Sequence, residues 1–145
     1  MNNKFYLISP DAGSNKKIFD LAKLIDYDGE IIRCDKLRDI VTGNIIETIV
    51  YKDDLNGKDC LIVDDICDGG RTFIQLATAL KQKNCGKIYL IVTHGIFSNG
   101  YDLLSEYIDG IFCTNSVKDI IDGEILFTSS QHKTIHSFVK QINVF

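Results

Sequence analysis

The densest chemistry in the chain lies in the run from Cys60 to Thr72, CLIVDDICDGGRT. Cys60 to Val63 are apolar and lead straight into Asp64 and Asp65, so a buried strand delivers two carboxylates at its C-terminal end. In open α/β sheets that edge is where ligands bind. Asp68, Gly69, Gly70, Arg71 and Thr72 then turn the chain into a helix that begins at Phe73. The first N–H groups of a helix have no intrahelical acceptor and suit a phosphate. The two glycines let the backbone approach oxygen atoms closely, Thr72 is placed to cap the helix, and Arg71 adds positive charge. Adjacent carboxylates accept hydrogen bonds from vicinal hydroxyls, or meet Mg²⁺ through water. A lone Asp-Gly-Gly usually marks a plain turn. Strand, acid pair, Gly-Gly turn and helix in one run of thirteen residues point instead to a site for a phosphorylated sugar.

Other polar residues fall where they can join this site. Asp11, Ala12, Gly13 and Ser14 follow a short apolar strand and precede a helix, repeating the arrangement of strand end and helix start. Asp11 there is either a Mg²⁺ ligand or an ordinary helix cap. Lys36 and Arg38 are two residues apart, so in an extended segment both side chains point the same way. Taken alone they read as a solvated charged loop. His132 and His136 stand four apart, but no third ligand accompanies them, and a solvent-facing helix surface is the better reading. His94, Phe97, Tyr101 and Tyr107 read as structural or packing residues.

These groups need a scaffold, and the apolar periodicity supplies one. Phe5–Ile8, Glu30–Cys34, Ile45–Tyr51, Cys60–Asp64, Ile88–Thr93 and Gly110–Thr114 read as strands, with a weaker one at Glu124–Phe127. Ile18, Leu21, Ala22 and Ile25 mark one helix face; Phe73, Leu76, Ala77 and Leu80 mark a second; Ile135, Phe138, Val139 and Ile142 mark a third. A shorter helix is expected at Tyr101–Tyr107, with Leu104 and Tyr107 inward. Strands alternating with helices predict an α/β fold, a mainly parallel sheet with helices on both faces. The polar stretch Cys34–Asn44 breaks the periodicity and reads as a mobile loop.

Composition bounds the possibilities. With 145 residues, 45% hydrophobic and 25% charged, the chain reads as one globular domain. A net charge of −4 leaves no broad basic surface, so nucleic acid is not an expected partner. No run of 18 apolar residues and no secretory leader is read, and five cysteines without a C-x-x-C pair fit a reducing cytoplasm.

The run from Val63 to Thr72 resembles the phosphoribosyl-diphosphate motif of type I phosphoribosyltransferase folds, and most closely that of ribose-phosphate diphosphokinases. SPDAGSNKK (Ser9–Lys17) is similar to that family's diphosphate-binding loop, CDKLRDIVTG to its catalytic flexible loop, and THGIFSNG (Thr93–Gly100) to the segment after the next strand. The resemblance implies a Rossmann-like type I phosphoribosyltransferase domain. It implies ribose 5-phosphate or phosphoribosyl diphosphate on Asp64, Asp65, Asp68, Gly69, Gly70, Arg71, Thr72, Ala12, Gly13 and Ser14. It also implies Mg²⁺ at Asp11, and Lys36 and Arg38 as catalytic cations for diphosphoryl transfer from ATP. The family's loop usually carries Thr and small residues where this chain has Gly69, Gly70 and Arg71, so Arg71 either strengthens phosphate binding or blocks sugar entry. The match covers the second of the two related domains such enzymes generally have, so residues for adenine are expected from elsewhere. A homodimer or a complex with a first-half partner follows, with THGIFSNG and its neighbouring helix contributing. A standalone phosphoribosyltransferase and a non-catalytic partner of a full-length synthetase are the alternatives.

Overall fold

The computed structural model describes residues 4–117, 125–127, 132–134 and 138–142. Its elements are β1 (Phe5–Ser9), a 3₁₀ turn (Ala12–Ser14), α1 (Asn15–Leu24), β2 (Ile31–Arg38), β3 (Ile45–Val50), β4 (Asp59–Cys67) and α2 (Arg71–Gln82). These are followed by β5 (Ile88–Gly95), α3 (Asp102–Tyr107), β6 (Gly110–Thr114), β7 (Ile125–Phe127), β8 (His132–Thr134) and β9 (Val139–Ile142). Seven strands form one sheet in the order β3-β2-β1-β4-β5-β6-β9, and β7 and β8 pair separately. Every pairing in the large sheet is parallel except β2 with β3.

The order reverses direction at β1, which has β2 on one side and β4 on the other. Right-handed crossovers therefore lay α1 on one face and α2 on the opposite face. Side-chain alternation along the strands agrees. Leu7 packs with Ile18 and Ala22 of α1. Its neighbours Tyr6 and Ile8 join the larger core with Ile62, Leu90 and Ile111, under Phe73, Leu76 and Leu80 of α2 and Leu104 of α3. Each such side chain, once buried, stabilises the fold by about 1.5–3 kcal/mol.

Four expectations from the sequence are corrected. The second strand runs on to Arg38, so Lys36 and Arg38 lie on a strand and the connecting loop shrinks to residues 39–44. Pairing with β3 uses backbone groups alone, so it leaves no apolar signature at an exposed edge. Asp39 closes the hairpin, accepting from Val41 N and Thr42 N, and Gly43 adopts φ +72°. The expected last helix is replaced over Val139–Ile142 by a strand parallel to β6, where Val139 is buried; Ile135 lies outside the described residues. His132 consequently sits on β8 rather than a helix, and His136 lies outside the described residues. Ile25 and Tyr107, expected inward, are 52% and 39% exposed, because α1 ends at Leu24 and α3 is too short to turn both its ends inward. No helix among the described residues is long and apolar enough to cross a membrane.

Behind β4, the segment 94–101 supports the loop that follows it. Ile96 N and Phe97 N donate to the Cys67 carbonyl at 2.9 and 3.2 Å, and Phe97, at φ +50°, is buried against Tyr101 with ring centroids 4.8 Å apart. A Cβ on Gly95 would stand 2.2 Å from the Phe97 ring. Gly95→Ala is expected to cost about 1–3 kcal/mol through overpacking. A thermal melt checks it, and an unchanged midpoint would contradict this packing.

Candidate active site

The elements that carry polar groups end at the C-terminal edge of the sheet, around the reversal between β1 and β4. This is the crevice where open α/β sheets bind ligands. Strand β4 runs three residues further than expected, its pairing with β5 continuing to Cys67 opposite Gly95, so Asp64 and Asp65 are held by the ladder. Alternation sends their side chains to opposite faces. Asp64 Oδ1 accepts from Asp65 N at 2.8 Å. Burial pushes the Asp64 carboxyl above the usual carboxylate range; the Asp65 amide opposes this, while the negative charges of Asp11 and Asp65 add to it. Asp65, by contrast, is exposed and paired with Lys17 of α1. Lys17 belongs to the SPDAGSNKK segment, but its partner became visible only once α1 was placed beside β4.

The turn into α2 depends on one glycine. Gly70 sits at the helix N-cap with φ +85°, and a Cβ there would lie 2.9 Å from Leu104. Thr72 was expected to cap this helix. It is instead the second helical residue, and no side chain caps the turn. The first helical N–H to find an intrahelical acceptor is that of Ile74, on Gly70 O at 3.0 Å. The amides of Arg71, Thr72 and Phe73 precede it and remain donors at the positive end of the helix dipole. Asn99 donates to Gly69 O at 3.3 Å and steadies the turn from the side.

Asp11 organises the end of β1. Its Oδ1 accepts from Ser14 N and Ser14 Oγ, each at 3.0 Å, and its Oδ2 pairs with Lys36 Nζ at 2.9 Å. Burial raises the Asp11 carboxyl, but the Lys36 ammonium and the Ser14 donors outweigh it and hold the group below the usual range. The Lys36 side chain is only 11% exposed. Ala12, Gly13 and Ser14 form the 3₁₀ turn that presents Asp11.

A cavity of about 330 Å³ brings together Lys36, Asp64, Asp68, Gly69, Gly70, Arg71 and Thr72, with Ile66 and Phe73 as walls the sequence had not singled out. Arg38 lies apart from it, in a neighbouring cavity that it shares with Arg71 and Thr72; its Nη1 donates to Gly43 O at 3.0 Å. Among the described residues no three His, Cys, Asp or Glu side chains form a metal-binding cluster. Cys67, inside the motif, is fully buried and its thiol is pushed up to about 12 by that burial. Thiolate is the reactive form, so Cys67 is expected to resist alkylation of the folded protein at neutral pH. Mass spectrometry after brief iodoacetamide treatment checks it, with rapid labelling of Cys67 the contrary result.

A ribose-phosphate pyrophosphokinase of Mycoplasmopsis pulmonis is 36% identical over 118 residues, which cover 80% of this chain and 36% of that protein. Ribose-phosphate pyrophosphokinase 2 of Saccharomyces cerevisiae is 29% identical over 143 residues, 97% of this chain and 44% of its own length. The chain thus spans under half the length of these relatives. In fold it is similar to the crystal structure of phosphoribosylpyrophosphate synthetase from Mycobacterium smegmatis, with a TM-score of 0.73 at 19% identity, over 99% of this chain and 42% of that one. Residues 46–139, which take in the motif, α2 and the strands β5 and β6, match the phosphoribosyl synthetase-associated domain. By that match the chain belongs to the phosphoribosyl synthetase-associated domain family.

Proposed function

We propose that this chain binds ribose 5-phosphate or phosphoribosyl diphosphate and takes part in diphosphoryl transfer from ATP, with the adenine-binding surface supplied by another domain or chain. The observation that carries this reading is a single cavity lined by the uncapped first turn of α2, by Asp64 and by Lys36. The sugar's 5-phosphate lies on the amides of the turn, with Arg71 adding charge from the edge. Its hydroxyls donate to Asp64, and to Asp65 once Lys17 yields. That leaves the anomeric hydroxyl to attack the β-phosphorus of ATP, its proton passing to solvent and AMP departing as the bridging P–O bond breaks.

Asp11 and Asp64 are the residues that would hold Mg²⁺. Both offer hard oxygen donors, and the mutual repulsion that helps raise the Asp64 carboxyl marks a place where added positive charge is favourable. Mg²⁺ commonly takes one or two carboxylates and completes its shell with water and substrate phosphates, so a three-carboxylate cage is not required. When bound, it neutralises diphosphate oxygens. Lys36, held by Asp11, would turn its ammonium towards the charge that builds on the moving phosphoryl group. Ala12 to Ser14 contribute by fixing Asp11.

The curated relatives carry more than half their chain outside the matched region. We propose a homodimer or a complex with a first-half domain, in the cytoplasm. In the segment 93–107, Phe97 and Tyr101 are buried inside the fold, leaving Ile96, Leu103 and Tyr107 as the exposed large hydrophobic residues for such a contact. The purified chain alone is expected to bind ribose 5-phosphate yet release little AMP from ATP, ribose 5-phosphate and Mg²⁺ in a coupled assay. Robust AMP release by a monomer would overturn the shared-site reading. Absence of sugar-phosphate binding would instead favour a purely structural partner.

A further inference from the structure

The proposed transfer uses no cysteine, and two of the five come together at the edge of the sheet opposite the sugar-phosphate site. Cys60 is the second residue of β4, and Cys85 lies in the connection from α2 to β5. The backbone laces the two segments side by side. Gly86 N donates to Lys58 O at 2.7 Å and Cys60 N donates to Lys87 O at 2.8 Å, while Cys85 N folds back onto Leu80 O at 3.3 Å. The approach is close enough that a Cβ on Gly86 would stand 2.5 Å from Gly57 O and from Asp59 Oδ1. Cys85 consequently packs against the core cluster that contains Cys60, and the two thiols share a hydrogen bond.

The two sulfurs differ in setting. Cys60 is fully buried, whereas Cys85 is partly exposed. The hydrogen bond from Cys60 lowers the Cys85 thiol against its burial, and the Lys81 ammonium, anchored on Gly86 O at 2.5 Å, adds to the lowering. The same bond, with burial, raises Cys60. Burial alone pushes Cys34 and Cys67 up to about 12. Thiolate is the nucleophilic form, so the sulfur that solvent reaches is also the one prepared to react. We infer that Cys60 and Cys85 form a dithiol that a hydroperoxide oxidises reversibly to a disulfide. The Cys85 thiolate attacks one peroxide oxygen, the O–O bond breaks, and the departing hydroxide takes a proton from solvent, leaving Cys85 as a sulfenic acid. Cys60 then displaces the hydroxyl: the S–S bond forms, the S–O bond breaks, and the Cys60 proton leaves with the hydroxyl as water. Two thiols lose two electrons and one peroxide becomes two waters. Cys60 needs no access to solvent, because its target is its neighbour. Disulfides in a reducing compartment are characteristically transient and redox-sensing, which suits a bond that dithiol reductants reopen. Nothing in this inference rests on the proposed transferase function.

Intact-mass and peptide mass spectrometry of the folded, reduced chain after brief treatment with hydrogen peroxide tests this, with remaining thiols alkylated after unfolding. The mass before alkylation is expected to fall by about 2 Da, the loss of two hydrogens, and to return on adding dithiothreitol. A peptide pair joined through Cys60 and Cys85 is expected, with Cys34, Cys67 and Cys113 fully alkylated. Cys85→Ser is expected to abolish the link. In Cys60→Ser, which has no resolving thiol, dimedone is expected to trap a sulfenic acid on Cys85. The native chain alone decides the matter if a variant fails to fold. Both thiols still alkylatable at a peroxide dose that oxidises free cysteine would overturn the inference. So would a link between any other pair, a link that forms only in urea, or Cys85 passing to sulfinic acid while Cys60 stays reduced.

Discussion

Replacing both Asp64 and Asp65 by Asn is expected to weaken ribose 5-phosphate or phosphoribosyl diphosphate binding by an order of magnitude or more. Hydrogen bonds to charged groups contribute about 1.5–3 kcal/mol each, and Asn keeps the shape while removing the charge. The fold is expected to survive with its thermal midpoint unchanged or raised. Ionisation of Asp64 is opposed by burial and by the charges of Asp11 and Asp65, so its folded carboxyl lies above the usual range. At pH values above that raised value the ionised group disfavours the folded state, and the neutral amide relieves the cost. Asp65 loses only an exposed pair with Lys17, worth little in water. Calorimetric titration beside a thermal melt checks both halves. Unchanged affinity would remove the carboxylates from the site, and loss of the fold would make them structural.

Lys36→Ala, alone or with Arg38→Ala, is expected to lower turnover in a reconstituted reaction by roughly 10²-fold or more, while sugar-phosphate affinity falls only a few-fold. A preorganised donor aimed at developing charge acts mainly in the transition state, so its loss appears in kcat. The structure adds a signature in stability. The Asp11 carboxyl is held below the usual range by Lys36 and Ser14 despite burial. A depressed folded value contributes stability that is present above the ordinary aspartate range and is lost as pH falls through the depressed value. The stability deficit of Lys36→Ala is therefore expected to shrink on acidification, as Asp11 protonates in both proteins. A deficit that stays constant with pH would show that Lys36 acts through packing of its stem and not through Asp11.

Much of this site was legible in the residue order because its parts are local. Strand, acid pair, glycine turn and helix succeed one another within Cys60–Thr72, and local spacing is what periodicity reads well. The large-sheet strands from Phe5, Cys60, Ile88 and Gly110 were readable for the same reason: their buried faces demand apolar residues. What stayed hidden depends on contacts between distant segments. The extension of β2 through Lys36 and Arg38 is fixed by backbone pairing with β3, which places no demand on side chains. Val139–Ile142 fits a helical face as well as a strand, and only the free edge of β6 decides between them. The Lys17–Asp65 and Lys36–Asp11 pairs join residues 48 and 25 positions apart. The missing cap on α2 likewise follows from a left-handed glycine rather than from Thr72.

Amide-resolved NMR of the ¹⁵N-labelled chain titrated with ribose 5-phosphate shows whether the turn after β4 holds the phosphate of a ribose phosphate on its backbone amides. Saturable shifts concentrated at Gly69, Gly70, Arg71, Thr72 and Phe73 are the result expected, reduced in the Asp64→Asn protein. Saturable shifts elsewhere on the sheet, or none at this turn, would contradict it.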